Sequence, residues 1–433
     1  MNKGAEIGRG KTKVLYAHPE RADAAVVVQQ DTISAGDGAK RHTIAGKGRL
    51  AALTTARIYR LLNACGVPTH FLSGGDEEDR YEMSVRRCEM IPIEVVVRGV
   101  AAGSYVKRNP GVKPGTVLAP RLVEYFFKDD ARHDPQYTAE QIVDEGIATN
   151  AELAVMSDQA RLIFDILAHG WRQQHVLLVD LKVEFGRARS ADGQATEVVL
   201  ADVIDNDSWR IWPAGDQSLM LDKQIYRNMS SPSSDDLETI KGKYEEVADM
   251  VGRFAKSSGG FVGIIMGSAA DEKHAGRIRE ALTGFGIPSR AHVASAHKTP
   301  LHALSRVQRL DNMLGRVVYI TIAGRSDALS AFVDAATANP VIACPPIGTA
   351  WGGMDILSSL HVPSGIASGV VLEPENAALS AAKILAVDDT VMYGRVLVSQ
   401  HRNRAKVIES DNRMNAHEVP ETPSKANGKA KRA

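Results

Sequence analysis

Asp180, Lys182 and Glu184 occupy every second position of the stretch LVDLKVEFG (178–186), with Leu181, Val183 and Phe185 between them. Alternate residues of an extended chain share a face. The stretch is therefore predicted to be a strand with one apolar face and one face reading acid, base, acid. A solvated edge strand would carry charges in the same way, so the stripe alone decides nothing. The residues beyond the strand are more telling. Asp192-Gly193 is a hairpin signal, and 197–203 reads as the returning strand, which brings Asp202 within a residue or two of Glu184. Facing carboxylates repel unless a cation lies between them. Oxygen ligands without His or Cys favour Mg²⁺, which keeps waters and bridges to phosphates. Lys182, between the acids, suits a phosphate as a point charge.

Other stretches gather anion-binding residues. GRGKTK (8–13) carries Lys11 and Lys13 in a Gly-rich turn, but a strand, VLYA, comes next where a P-loop needs a helix. By itself it is an ordinary hairpin entry; beside a distant carboxylate pair it reads as a loop closing over nucleotide. VVVRGVAAGSYVKRNPG places Arg98, Ser104, Lys107 and Arg108 among small residues, and DNDSWRIWP places Asp205, Asp207 and Arg210 beside Trp209 and Trp212. Either alone would pass for a salt-bridged surface loop.

A second set lies further along. IIMGSAAD (264–271) is an apolar strand ending in small residues before a helix; the turn at Gly267 and Ser268 would offer free backbone N–H groups to a phosphate, with Asp271 placed to meet a ribose hydroxyl. ASAHKTP (294–300) carries Ser295, His297 and Lys298, and IAGRSDALS (322–330) carries Arg325 and Ser326. Three successive strand ends thus point polar groups toward one crevice.

The elements that must hold these residues change in style along the chain. Leu237, Ile240, Tyr244, Val247, Met250 and Phe254 recur at helical spacing after the N-cap-rich SPSSDD. SSGG (257–260) then reads as a helix stop and short link. Before the link come strands, turns and scattered helices. After it, FVGIIM, RAHVAS, RVVYITIA and PVIAC alternate with helical stretches 271–284, 301–313 and 327–338, the pattern of a parallel sheet wrapped by helices. The expected division is 1–258, 259–412 and a disordered basic tail over 413–433.

Composition narrows the class. The 433 residues suit two to three domains; 52 basic and 52 acidic side chains leave no net charge to steer the chain to nucleic acid or membrane. Cys65, Cys88 and Cys344 lie far apart, without metal or disulfide spacing. No signal peptide or membrane-spanning run is recognisable, so the expected compartment is the cytoplasm.

Taken in order, GRGKTKVLY, CEMIPIEVVVRGVAAGSYVKRNPGVKPG, FFKDDARHDP, LLVDLKVEFG, ADVIDNDSWRIWP and DKQIYR closely resemble phosphoribosylaminoimidazole-succinocarboxamide synthase over most of 5–255. That resemblance implies an ATP-grasp-like domain with antiparallel sheets. It implies a ligase joining aspartate to the carboxylate of carboxyaminoimidazole ribonucleotide, with ATP and Mg²⁺. Carried over, Lys11 and Lys13 contact phosphate, and Glu184 and Asp202 bind the metal. Asp180 and Lys182 line the nucleotide region, while Arg98, Ser104 and Arg210 hold the ribonucleotide; Asp207, Lys223 and Arg227 lie near the substrates. Residues 261–387 resemble aminoimidazole ribonucleotide carboxylase, a three-layer αβα domain with a parallel sheet. Lys298 and AGRSDALS match the form that uses CO₂ directly, without biotin or ATP, found in vertebrate fusion enzymes; the mutase form carries Arg and a Gly-Gly-Ala-Ala-His loop. His297 is the implied proton-transfer group. Gly267, Ser268, Asp271, Ser295 and Ser326 are implied substrate contacts, and Lys298 and Arg325 anion contacts. Relatives in this lineage are octamers. Two departures stand out: Ala270 replaces a second Ser, and Asp327 replaces an Asn, which would add charge beside the crevice. An alternative reading is an active ligase whose second domain is a catalytically silent scaffold.

Overall fold

The computed structural model describes residues 3–36, 39–76, 81–189, 196–255, 259–313, 315–349 and 352–415. The turn expected at Asp192-Gly193 and most of the expected tail lie outside them. An antiparallel sheet comes first, in the order Glu6–Arg9, Lys13–Ala17, Ala24–Gln29, Met83–Arg86, Phe71–Gly74. The second sheet is built around Val176–Arg189. One edge of that strand pairs with Glu89–Val100, itself paired with Val117–Phe127. Its other edge is shared: Thr196–Ala201 takes the C-terminal part and Trp209–Pro213 the N-terminal part. Between those two partners the chain leaves the sheet over 202–208 and returns where Lys182 N–H donates to Ser208 O at 2.7 Å. This excursion opens beside the acid-base-acid face.

Alternation explains which way the central strand turns. Leu181, Val183 and Phe185 are buried against helix Asn150–Arg172, whose N-terminus carries a Thr149/Glu152 capping box. Trp171, near the end of that helix, is fully buried and meets Trp209 and Phe254 edge-on. The helix expected from the 237–254 spacing forms as Ser234–Val251, started by a Ser233/Asp236 capping box.

The third sheet is parallel, ordered Ser289–Val293, Gly260–Met266, Arg316–Ile322, Val341–Ala343, Gly369–Val370. Its strands are apolar on both faces because both are covered. Val262, Ile264, Val318 and Ile320 pack on helices Glu272–Gly284 and Pro374–Leu385. Ile265, Val317 and Tyr319 pack on Pro300–Asp311 and Ala328–Ala336. Gly369–Val370 was not expected, since two residues carry no readable period.

Helix Thr390–Asn415 was also missed, and it corrects the expected tail, because residues 413–415 are helical. Its first turns bridge the two halves of the chain. Arg395 donates to Ala64 O at 3.0 Å and to Phe285 O at 2.9 Å. Tyr393 stacks on His169 at 4.1 Å, while Thr390 Oγ1 lies 3.1 Å from His169 Nδ1. Gly394 permits the close approach, because a Cβ there would overlap Cys65 Sγ. The apolar spacing of this helix is mixed because it faces two different neighbours.

Candidate active sites

Glu184 stands opposite Ala201 in the ladder, so Asp202 is the next residue, at φ 65° as the chain turns out of the sheet. Glu184 is 3% exposed and accepts from Lys182 Nζ at 2.9 Å and Lys128 Nζ at 2.6 Å. Burial raises its pKa, but Lys182, Lys128 and Lys13 outweigh that and bring it down to about 2. Burial pulls Lys182 down, yet Glu184 and Glu94 leave it raised overall. Lys13 pairs with Asp202, and Lys11 with Asp130 at 2.6 Å. Two carboxylates on neighbouring chain segments, with only oxygen donors, fit Mg²⁺ completed by phosphates and water. Among the described residues no group of three or more His, Cys, Asp or Glu side chains could hold a metal ion.

These residues line a polar cavity of about 570 Å³, together with Asp207, Lys223 and Arg227. Burial opposes ionisation of Asp207, but Lys47 and Lys223 win and hold its pKa below the ordinary range; Lys223 Nζ is 2.6 Å away and Tyr244 O–H donates at 2.8 Å. At one end the cavity shares Lys13, Lys128, Glu184 and Asp202 with an apolar slot of about 340 Å³ between Ile7, Leu15, Val27 and Met90. At the other it shares Arg227 with a cavity of about 360 Å³ lined by Ser104, Lys107 and Arg210. Apolar slot, charged trough and second anion site thus share lining residues in succession.

Two expected residues fall behind this wall. Asp180 faces the same side of its strand, but Arg98 at 2.9 Å and Arg210 both claim its carboxylate, and it does not line the polar cavity. Arg98 is 3% exposed, locked between Asp180 and Glu124, and reaches Ser104 Oγ at 3.3 Å. Both hold Ser104 and Arg210 rather than lining the cavity themselves. Gly103 is required there, with φ 55° and an added Cβ only 2.5 Å from Arg210 Nη2. Sequence reasoning missed Glu94 and Lys128. Glu94 bonds Lys182 Nζ at 2.7 Å and pairs with Glu184 across the ladder. Its signal was readable: Glu94 and Arg98 alternate with buried Ile93, Val95 and Val97. Lys128 had only its place in FFKDDARHDP, because its partner is remote in sequence.

In the parallel sheet Met266, Val293 and Ile322 end level with one another. The strand order reverses at Gly260–Met266, where ligands of such sheets bind. Gly267, Ser268 and Asp271 come after one strand, Ser295, His297 and Lys298 after the next, and Arg325 and Ser326 after the third. His297, Lys298, Arg325 and Ser326 are exposed. Burial raises the Asp271 carboxyl above its ordinary value. Local hydrogen bonds bear on three expectations and correct those for the Gly267 N–H and Asp327. The Gly267 N–H is no free anion donor, because it bonds Ile322 O at 2.8 Å. Ser295 Oγ accepts from Lys298 N–H at 3.2 Å and so shapes the His297 turn. Asp327 puts no charge in the crevice: 2% exposed, it caps a helix through Ser330 N–H at 3.0 Å and accepts from Ser359 O–H at 2.8 Å. His274, on helix Glu272–Gly284, lies 3.3 Å from Cys344 Sγ.

Two family models match in succession: SAICAR synthetase over 6–250 and AIR carboxylase over 261–406. A Drosophila melanogaster protein named bifunctional phosphoribosylaminoimidazole carboxylase/phosphoribosylaminoimidazole succinocarboxamide synthetase is 39% identical over 414 residues, covering 94% of this chain and 95% of its own. The chain belongs to this bifunctional SAICAR synthetase/AIR carboxylase family. The synthetase half also has single-domain relatives. A phosphoribosylaminoimidazole-succinocarboxamide synthase of Herpetosiphon aurantiacus is 49% identical over 254 residues, 59% of this chain and 100% of that one. The crystal structure of the Ehrlichia chaffeensis synthase superposes with TM-score 0.50 at 29% identity, covering 57% of this chain and 98% of its own. Among the described residues no helix is long and apolar enough to cross a membrane.

Proposed function

We propose that the serial cavities of the synthetase half bind Mg-ATP and carboxyaminoimidazole ribonucleotide end to end, and that the strand ends of the carboxylase half make that ribonucleotide from aminoimidazole ribonucleotide and CO₂. As a member of its family, the chain is a bifunctional enzyme of purine biosynthesis, a SAICAR synthetase and AIR carboxylase in one polypeptide. One observation carries the finer reading of the ligase: the Glu184/Asp202 trough shares Lys13, Lys128, Glu184 and Asp202 with the apolar slot and Arg227 with the Arg210 cavity. The base lies in the slot, the phosphates along Lys11, Lys13, Lys128 and Lys182, and the ribonucleotide against Ser104, Lys107 and Arg210. Arg227, common to trough and cavity, faces the point where the γ-phosphate meets the substrate carboxylate.

The carboxylate oxygen attacks the γ-phosphorus and ADP leaves, giving an acyl phosphate. The aspartate amine then attacks the acyl carbon, phosphate leaves and the amine loses a proton. Lysines and Arg227 balance the charge as it moves. Held by Glu184 and Asp202, Mg²⁺ would neutralise phosphate oxygens in that step.

In the other half the electron-rich ring carbon beside the amine of aminoimidazole attacks CO₂. The resulting tetrahedral carbon gives its proton to His297 and the ring regains aromaticity. Lys298 and Arg325 face the new carboxylate, Ser268 the phosphate and Asp271 a ribose hydroxyl. This chemistry needs neither ATP nor biotin. Leu301, four residues beyond His297, is 82% exposed, and Met354, beside Asp355 that accepts from Arg325 N–H, is 64% exposed. Such apolar surface at the crevice supports a homo-oligomer, the octamer expected of this lineage.

Metal removal separates the two reactions. With excess EDTA, aspartate ligation is expected to stop while carboxylation in the same tube continues at its former rate. Ligation that survives chelation would remove the metal from the mechanism.

A further inference from the structure

His70 lies on the wall of the apolar slot and is 7% exposed. Its backbone is fully used: the N–H donates to Leu200 O at 2.8 Å and the carbonyl accepts from Arg86 N–H at 2.6 Å. The ring leans on Tyr59, centroid to centroid 5.2 Å. Every other polar side chain on this wall has a partner within the protein. Lys13 pairs with Asp202, Lys128 with Glu184 at 2.6 Å and Arg86 with Glu197 at 2.8 Å. Arg87 donates to Ala22 O at 3.4 Å and Cys88 to Arg86 O at 3.4 Å. Among the described residues, the His70 ring has no hydrogen-bond partner. The ring nitrogens are therefore left to whatever occupies the slot, water or a ligand.

The ring is also in one defined state. Burial, with Lys13 and Arg86 nearby, pushes its pKa down to about 3, so the imidazole is neutral and offers one N–H and one lone pair. The surrounding Ile7, Leu15, Val27 and Met90 are aliphatic and suit the faces of a flat heteroaromatic ring. We propose that His70 reads the polar edge of the nucleobase in this slot and is a specificity-determining residue for the ligase's nucleotide. The inference rests on the slot being the base site. A donor-acceptor imidazole matches a base edge that sets an amino group beside a ring nitrogen, as adenine does with its 6-amino group and N1 or N7.

The test measures KM and kcat for aspartate ligation with ATP, purine riboside 5′-triphosphate, 1-deaza-ATP and 7-deaza-ATP. The wild-type enzyme should lose about tenfold in KM with at least one analogue, the scale of one neutral hydrogen bond. His70→Leu should raise the KM for ATP by about the same factor, erase that analogue's disadvantage and leave kcat in place; His70→Gln, which keeps a donor and an acceptor, should restore the preference. Near-UV circular dichroism and an unchanged kcat at saturating ATP report that the synthetase half is folded. Leu15→Trp fills the slot and tests the underlying reading: its KM should rise for all four nucleotides. If Leu15→Trp changes none of them, the slot is not the base site and both readings fall. If Leu15→Trp weakens all four but His70→Leu keeps the wild-type ratios, only the role of His70 is overturned. Should His70→Leu not fold, the wild-type enzyme still decides, because equal KM values for ATP and all three analogues would contradict a base-reading imidazole.

Discussion

Glu184→Gln is expected to slow aspartate ligation by about 10²–10³-fold, the scale of removing one preorganised electrostatic group from a transition state, while carboxylation continues near the wild-type rate. The substitution keeps shape and removes charge. Glu184 is 3% exposed and is the point where Lys128 and Lys182 converge, so its charge sets the balance of the trough. The fold should survive. Lys182 keeps Glu94 at 2.7 Å, and the Lys128 side chain is 42% exposed and can turn to water. Activity toward aminoimidazole ribonucleotide should not change, because its site lies at the ends of a different sheet. Both rates measured on one preparation check this. A folded variant that loses them equally would show that the two reactions do not have separate sites.

The second large effect concerns His297. Replacing it by Asn should slow carboxylation by about 10²-fold or more, the usual loss when general acid-base help is removed, with ribonucleotide binding retained. Binding survives because Ser268, Asp271 and the strand ends remain. His297 lies on the exposed turn shaped by Ser295 Oγ and Thr299 Oγ1, which bond the backbone N–H groups of Lys298 and Ser295 at 3.2 and 3.1 Å. Asn at that position disturbs neither bond. Ligation should be unaffected. Titration of the ribonucleotide against the variant, beside its turnover with bicarbonate, gives the answer; full carboxylation by His297→Asn would remove the proton-transfer role.

How far the sequence reached depends on how local each signal was. The acid-base-acid strand was legible because its period of two is written in nine consecutive residues, and its face is set by Leu181, Val183 and Phe185. The parallel sheet was legible from apolar runs alternating with helices. Asp180 was misplaced because alternation gives the face but not the neighbour: only the ladder puts Arg98 opposite it and Arg210 beside it. Lys128 was missed for the same reason, since it meets Glu184 from 56 residues away in the chain. At Gly267 the small side chain suggested an open N–H, but the hydrogen bond to Ile322 could not be read without the pairing of two strands. Asp327 looked like added charge, and only the packing of Ser359 against it shows a buried cap. Helix Thr390–Asn415 was hidden because it covers two units at once and so has no single apolar stripe.

The most direct test supplies the purified chain with aminoimidazole ribonucleotide and ¹³C-bicarbonate in ATP-free buffer and tracks the label by NMR. A labelled ring carboxylate should form first, faster when carbonic anhydrase sustains the CO₂ supply. When ATP, Mg²⁺ and aspartate are then added, the same label should move into the succinocarboxamide. No label on the ring until ATP is present would contradict the account: the second half would then be silent, or would need an activation step for which its strand-end site has no role.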